Sequence, residues 1–197
     1  MGCLIKLIII LLAVVGVITL GKTVLRDKFN INIFGEQSQE KLMQKASKVA
    51  DFSNINDEYK LKKTANILGF ETVIAEHPGS GQKFIVSNEG KKNFLTKRDF
   101  VTKNVDKKLQ TVAEKMQYQM VRIEDLEITQ RGTITSMGQT VPFVKFEATT
   151  VNLPVSSVKG IVGAATNKDK ETLLIISVND GKKYSQIIAQ EFFKDVR

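Results

Sequence analysis

The chain has no tryptophan, a single histidine (His77) and a single cysteine (Cys3) among 197 residues. One cysteine excludes an intramolecular disulfide and leaves the redox compartment open. One cysteine near the amino terminus and one distant histidine also argue against a zinc centre. No complete catalytic signature, metal signature or nucleic-acid motif stands in the sequence. No cofactor and no nucleic-acid partner are therefore expected, and the residues name no activity.

The most conspicuous feature present is an uncharged run at residues 7–20, LIIILLAVVGVITL, carried by Leu7, Ile10, Leu12, Val15, Ile18 and Leu20. With Leu4 and Ile5 before it and Val24 and Leu25 after it, the segment reaches the roughly 20 residues that cross a bilayer. Lys6 and Lys22 could then snorkel to the headgroups. This predicts an uncleaved transmembrane anchor over residues 1–29. Two rivals are a cleaved signal peptide, with small residues at Thr19 and Gly21, and a buried core helix, which the lack of any polar face disfavours. A strict count of Lys22, Arg26 and Lys28 against Lys6 puts the following domain in the cytoplasm. The short amino-terminal tail is instead the layout of an export signal. The reading adopted is a single-pass protein of a bacterial cytoplasmic membrane with an extracytoplasmic domain. Myristoylation is not expected, because Lys6 stands where that motif wants Ser or Thr.

Beyond the anchor lie about 165 residues, enough for one domain with its own core. Charged residues make up 25% and apolar ones 42%, a globular composition. The expected division is a juxtamembrane linker and helix at 30–58, then an α+β domain at 59–197. A net charge of +8 points to anionic lipid or an acidic protein partner.

Periodicity supplies the elements. Residues 38–52 read as a helix with Ser38 as N-cap and Leu42, Ala46, Val49 and Ala50 on one stripe. Residues 59–68 are ambiguous between helix and strand. Residues 70–76 and 82–87 form a hairpin pair around HPGSG. Residues 96–116 read as one helix, opened by a Thr96/Asp99 capping box, with Val101, Val105, Leu109, Val112 and Met116 on its apolar face. Strands follow from residue 121, with a bulge expected near Asp125. Residues 131–139 combine strand and turn. Val144, Phe146 and Ala148 share one face of the next strand. Residues 173–176 are apolar on both faces and belong in the middle of a sheet. A last helix at 184–196 turns Tyr184, Ile187, Ile188 and Phe192 to the core. Together these predict an antiparallel β-sheet flanked by helices.

The segments FETVIAEHPGSGQKFIVS, the helix to Met116, VPFVKFEATT and TLLIISVNDGKKYSQIIAQEFFKDV follow one another in an order that resembles the PsbP-like group. That group includes DcrB-like envelope proteins and Mog1-type Ran-binding proteins. The resemblance covers roughly residues 70–197 and rests on pattern. It implies an antiparallel sheet between helices and a binding or accessory role, and it transfers no functional residue.

Two stretches carry candidate chemistry. In AEHPGSGQK, His77 could act as base to a Ser80 nucleophile. A nucleophile elbow, however, needs Gly-x-Ser-x-Gly at a strand-to-helix turn, and here the sequence reads as a hairpin loop. The acidic residues Glu124, Asp125 and Glu127 read as a solvated strand edge. The basic run Lys91, Lys92, Lys97, Arg98, Lys103, Lys107 and Lys108 is either a solvated helix face or a contact for lipid or a partner. The expectation is a non-enzymatic, membrane-anchored binding or accessory module. The alternative is an anchored hydrolase using residues 77–82.

Overall fold

The computed structural model describes residues 38–67, 70–90, 94–116, 122–151 and 155–197. In chain order its elements are α1 (Gln39–Ala46), β1 (Lys60–Ile67), β2 (Phe70–His77), β3 (Gln82–Asn88), α2 (Lys97–Val101) and α3 (Asn104–Met116). They continue with β4 (Arg122–Ser136), β5 (Gln139–Val151), β6 (Ser157–Thr166), β7 (Thr172–Asp180) and α4 (Gln186–Asp195).

The seven strands form one sheet in the order β1-β2-β3-β7-β6-β5-β4, every pair antiparallel. The chain lays down a three-stranded meander and crosses one face through α2 and α3. It restarts at the far edge with β4, then meanders back until β7 pairs with β3. That route puts β7 in the centre, where both faces are covered. Thr172 to Asn179 are all buried, as a strand apolar on both sides requires.

Helices cover both faces. On one, Leu95, Phe100, Val105, Leu109 and Ala113 pack against Ile74, Ile85, Phe146, Val162 and Leu174. On the other, Leu42 and Ala46 of α1 and Ala189, Phe192 and Phe193 of α4 pack against Val73, Phe84, Phe143, Ile161 and Ile175. The helix expected over 38–52 is shorter, Gln39–Ala46, but its stripe from Leu42 to Ala50 is part of the domain core. The C-terminus is tied beside it by a reciprocal pair, Asp51 N–H to Arg197 O and Arg197 N–H to Asp51 O.

Pairing registers explain the irregular stretches. The bulge expected near Asp125 lies between Ile123 and Asp125, and a second falls between Ile128 and Gln130. The β4–β5 hairpin closes on a two-residue turn, Met137 (φ 54°) and Gly138 (φ 66°), a left-handed pair that suits the strand twist. Gly160 opposes Phe146 across β5 and β6. A Cβ at Gly160 would stand 2.5 Å from Ser177 O and 2.7 Å from the Phe146 ring. Only glycine leaves room for that phenyl group.

Three expectations are corrected. The anchor residues Leu7, Ile10, Leu12, Val15, Ile18 and Leu20 lie outside the described residues, and no helix among the described residues is long and apolar enough to cross a membrane. The longest, α3, has 13 residues. At about 1.5 Å per residue it spans about 20 Å, short of a hydrocarbon core of about 30 Å. The transmembrane element of the expected fold is withdrawn, with the bilayer partner and the membrane address built on it; an α+β domain with an antiparallel sheet remains. Secondly, the helix expected over 96–116 is two helices, broken at Thr102 and Lys103, where Lys103 takes φ 60°. The break turns Val101 away from the stripe, leaving it 77% exposed while Val105 and Leu109 stay buried. Thirdly, the last helix starts at Gln186, so Ile187 faces outward (69% exposed) while Phe192 and Phe193 fill the core.

Candidate functional site

His77 ends β2 and Gln82 begins β3, so residues 78–81 form the connecting turn. The Nδ1 of His77 receives the backbone N–H of Ser80 at 3.1 Å and lies 3.1 Å from its hydroxyl. A backbone N–H can only donate, so Nδ1 is the accepting nitrogen. The Glu58 carboxylate lies 3.8 Å from Nε2, with Glu58 itself largely in water. A carboxylate, an imidazole and a hydroxyl thus stand in a row, but the turn already uses their hydrogen bonds. Ser80 N–H also points to His77 O (3.2 Å), Gly81 N–H donates to His77 O (2.8 Å), and Gln82 N–H donates to Ser80 Oγ (3.2 Å). None of these three N–H groups is left to polarise a substrate carbonyl, and the hydroxyl and the backbone compete for one lone pair on Nδ1.

Gln82 is a structural residue. It is fully buried, and its amide acts like a peptide group toward the start of α4. Oε1 accepts from Ser185 N–H at 2.9 Å, while Nε2 donates to Ser185 O at 2.9 Å and to Ser177 Oγ at 2.8 Å. Ser185 in turn caps α4 by accepting from Ile188 N–H. Asn179 Nδ2 donates to Ser80 O (3.1 Å) and Lys183 O (3.2 Å), tying the 78–81 turn to the end of β7. The loop of the hydrolase alternative is therefore also the joint between the β2–β3 hairpin and α4. Sequence reasoning missed Gln82 as a core residue, because its partners lie about a hundred positions away.

The basic run is divided by the fold. Lys91 and Lys92 lie outside the described residues. Lys97 is half-buried and donates to Gln139 Oε1 at the start of β5. Lys108 is also drawn inward. Its ammonium sits 2.9 Å from Asp99 Oδ1, donates to Phe94 O at 2.6 Å and stands 5.5 Å from the Phe94 ring centre. Arg98, Lys103 and Lys107 are exposed around the α2–α3 corner, beside exposed Val101. Three of the five described cations are thus exposed, and two hold the helices in place.

Beneath Lys108, Asp99 anchors the first turn of α2. Its Oδ2 accepts from the N–H and the hydroxyl of Thr96, each at 2.8 Å. Burial raises the Asp99 carboxyl, but the Lys108 ammonium and the Thr96 bonds outweigh it and hold the group below the usual carboxylate range. Glu124, Asp125 and Glu127 are exposed on the edge strand β4, as a solvated edge requires.

Two open clefts border α1. One of about 480 Å³ is lined by Met43, Phe52, Ile55, Tyr59 and Leu61 with a polar rim that includes Asn56 and Lys60. The other, of about 250 Å³, lies between Lys45, Lys48 and the β1–β2 pair. No family model matches the chain, and no curated protein is significantly similar to it.

Proposed function

We propose that this α+β domain works without catalysis, as a binding or accessory module that meets its partner through the α2–α3 corner. The observation that carries the reading is the state of the His77–Ser80 pair. It is the chain's one combination of imidazole and neighbouring hydroxyl, and it is locked into a turn that also secures α4. The corner offers what a contact surface needs: an exposed apolar residue, Val101, among three exposed cations, Arg98, Lys103 and Lys107. The element order supports membership of the PsbP-like fold group. A hairpin opens the resembling stretch, helices precede the main strands, and a strand, a turn and a helix close it.

The test compares two sets of substitutions in cells where loss of the protein has a phenotype. One set is His77→Ala with Ser80→Ala; the other is Arg98→Glu, Lys103→Glu and Lys107→Glu. Thermal melts verify that both proteins fold. The loop set should leave the phenotype intact and its parent should take up no fluorophosphonate at Ser80, while the corner set should abolish function. An adduct on Ser80 that disappears with His77→Ala would overturn the non-catalytic reading. A folded corner variant with full function would remove the contact surface.

A further inference from the structure

Met43 breaks the pattern of α1. Leu42 and Ala46 turn to the core, while Met43 is 45% exposed. It stands in the wall of the cleft of about 480 Å³ that residues 52–61 share with α1. The floor of that cleft is apolar. Phe52, Tyr59 and Leu61 are buried, and Ile55 is half-buried beside them. The Tyr59 hydroxyl donates to Ile188 O at 2.8 Å, so the cleft meets its ring rather than an unused phenol. Small-molecule sites enclose roughly 300–1,000 Å³, and this cleft falls in that range.

Two turns fix the shape of the loop. Ile55 N–H donates to Phe52 O at 3.3 Å, and Tyr59 N–H donates to Asn56 O at 2.9 Å. Glu58 N–H donates to Asn56 Oδ1 at 3.2 Å, and Asn56 N–H donates to Asp195 Oδ2 at 3.4 Å, tying the loop to the end of α4. Asp57 is a central residue of the second turn and Lys60 opens β1; both line the cleft and both are exposed. Neighbouring charges are engaged elsewhere. The Glu58 carboxylate stands 3.8 Å from His77, and the Lys62 ammonium 3.2 Å from Glu76. Asp57 and Lys60 enter no ion pair among the described residues. The rim thus offers one carboxylate and one ammonium above an apolar floor.

We propose that this cleft binds a free apolar amino acid. The ligand's ammonium pairs with Asp57, its carboxylate pairs with Lys60, and its side chain lies against Met43, Ile55 and Leu61. A fatty acid would satisfy Lys60 but set a like charge beside Asp57, and an alkylamine would do the converse. Only a ligand carrying both signs uses both rim charges. Those charges stay at the edge in water, which spares their desolvation, while the apolar side chain supplies the burial. The proposal does not rest on what the α2–α3 corner binds.

Methyl NMR of the full chain titrated with L-leucine tests it. The Met43, Ile55 and Leu61 methyl signals should shift and saturate with a Kd of about 1 mM. No saturable shift up to about 20 mM would overturn the proposal. Isocaproate lacks the ammonium of leucine and isopentylamine lacks its carboxylate, so each should bind about fivefold more weakly. In Asp57→Asn, leucine and isocaproate should bind alike; in Lys60→Gln, leucine and isopentylamine should. Thermal melts verify that both variants fold. Wild-type protein that holds isocaproate as tightly as leucine would mark a site for anionic amphiphiles, and the amino-acid assignment would fall. Shifts that grow with protein concentration alone would place a second copy in the cleft, with the same consequence.

Discussion

Gln82 shows how one side chain can be misjudged by its neighbours in sequence. Lying in GSGQK, it looks like part of a polar loop, yet its amide satisfies both backbone groups of Ser185 and the hydroxyl of Ser177. Gln82→Leu keeps the volume and strands these partners in a dry interior. We expect a loss of about 3 kcal/mol in urea unfolding, since each orphaned buried group costs about 1–3 kcal/mol. Gly160 teaches the same lesson. Read as sequence, a glycine is punctuation; in the sheet it is the place where Phe146 lies flat across β6.

At the scale of elements, amphipathic pattern located most helices and strands but not their joints. The apolar stripe of 96–116 was legible in Val105 and Leu109, and the Thr96/Asp99 start in their spacing. The break at Lys103 was not, because nothing local forbids a helix there. Packing decides it: Leu95 just before α2 and Phe100 within it must reach the core while Val105 reaches it from α3. The final helix is held chiefly by its aromatic side. Phe192 stacks on Phe84 with ring centres 4.2 Å apart and meets Tyr59 at 5.3 Å. Phe192→Ala should therefore cost about 3–5 kcal/mol, read from a denaturant midpoint, with exchange protection lost first along α4.

The whole molecule should show an unusual dependence on pH. Glu89, buried just after β3, titrates higher folded than unfolded, so its stabilising contribution is complete below about 4.5 and is lost as pH rises through about 7. By linkage that loss is at most about 3 kcal/mol. Asp99, and Glu76 between Lys83 and Lys62, run the other way. Burial raises each carboxyl, but the lysines prevail and lower both. Their contributions are present above the unfolded carboxylate range and fade as pH falls through the lower folded values. Urea midpoints should therefore peak in mildly acidic solution, about pH 5, and decline on both sides. In Glu89→Gln the alkaline decline should flatten and the acid decline persist.

Residue order and hydropathy alone dictate the α+β class, the central place of β7, the bulge by Asp125 and the core faces of β5 and α3. Each follows from a local period of two or 3.6 that burial must satisfy. Tertiary structure alone decides that the β2–β3 turn is joined to α4 and β7, that Lys97 and Lys108 turn inward while Arg98, Lys103 and Lys107 do not, and that Glu89 is buried. Those outcomes depend on contacts between residues far apart in the chain, which no local period records.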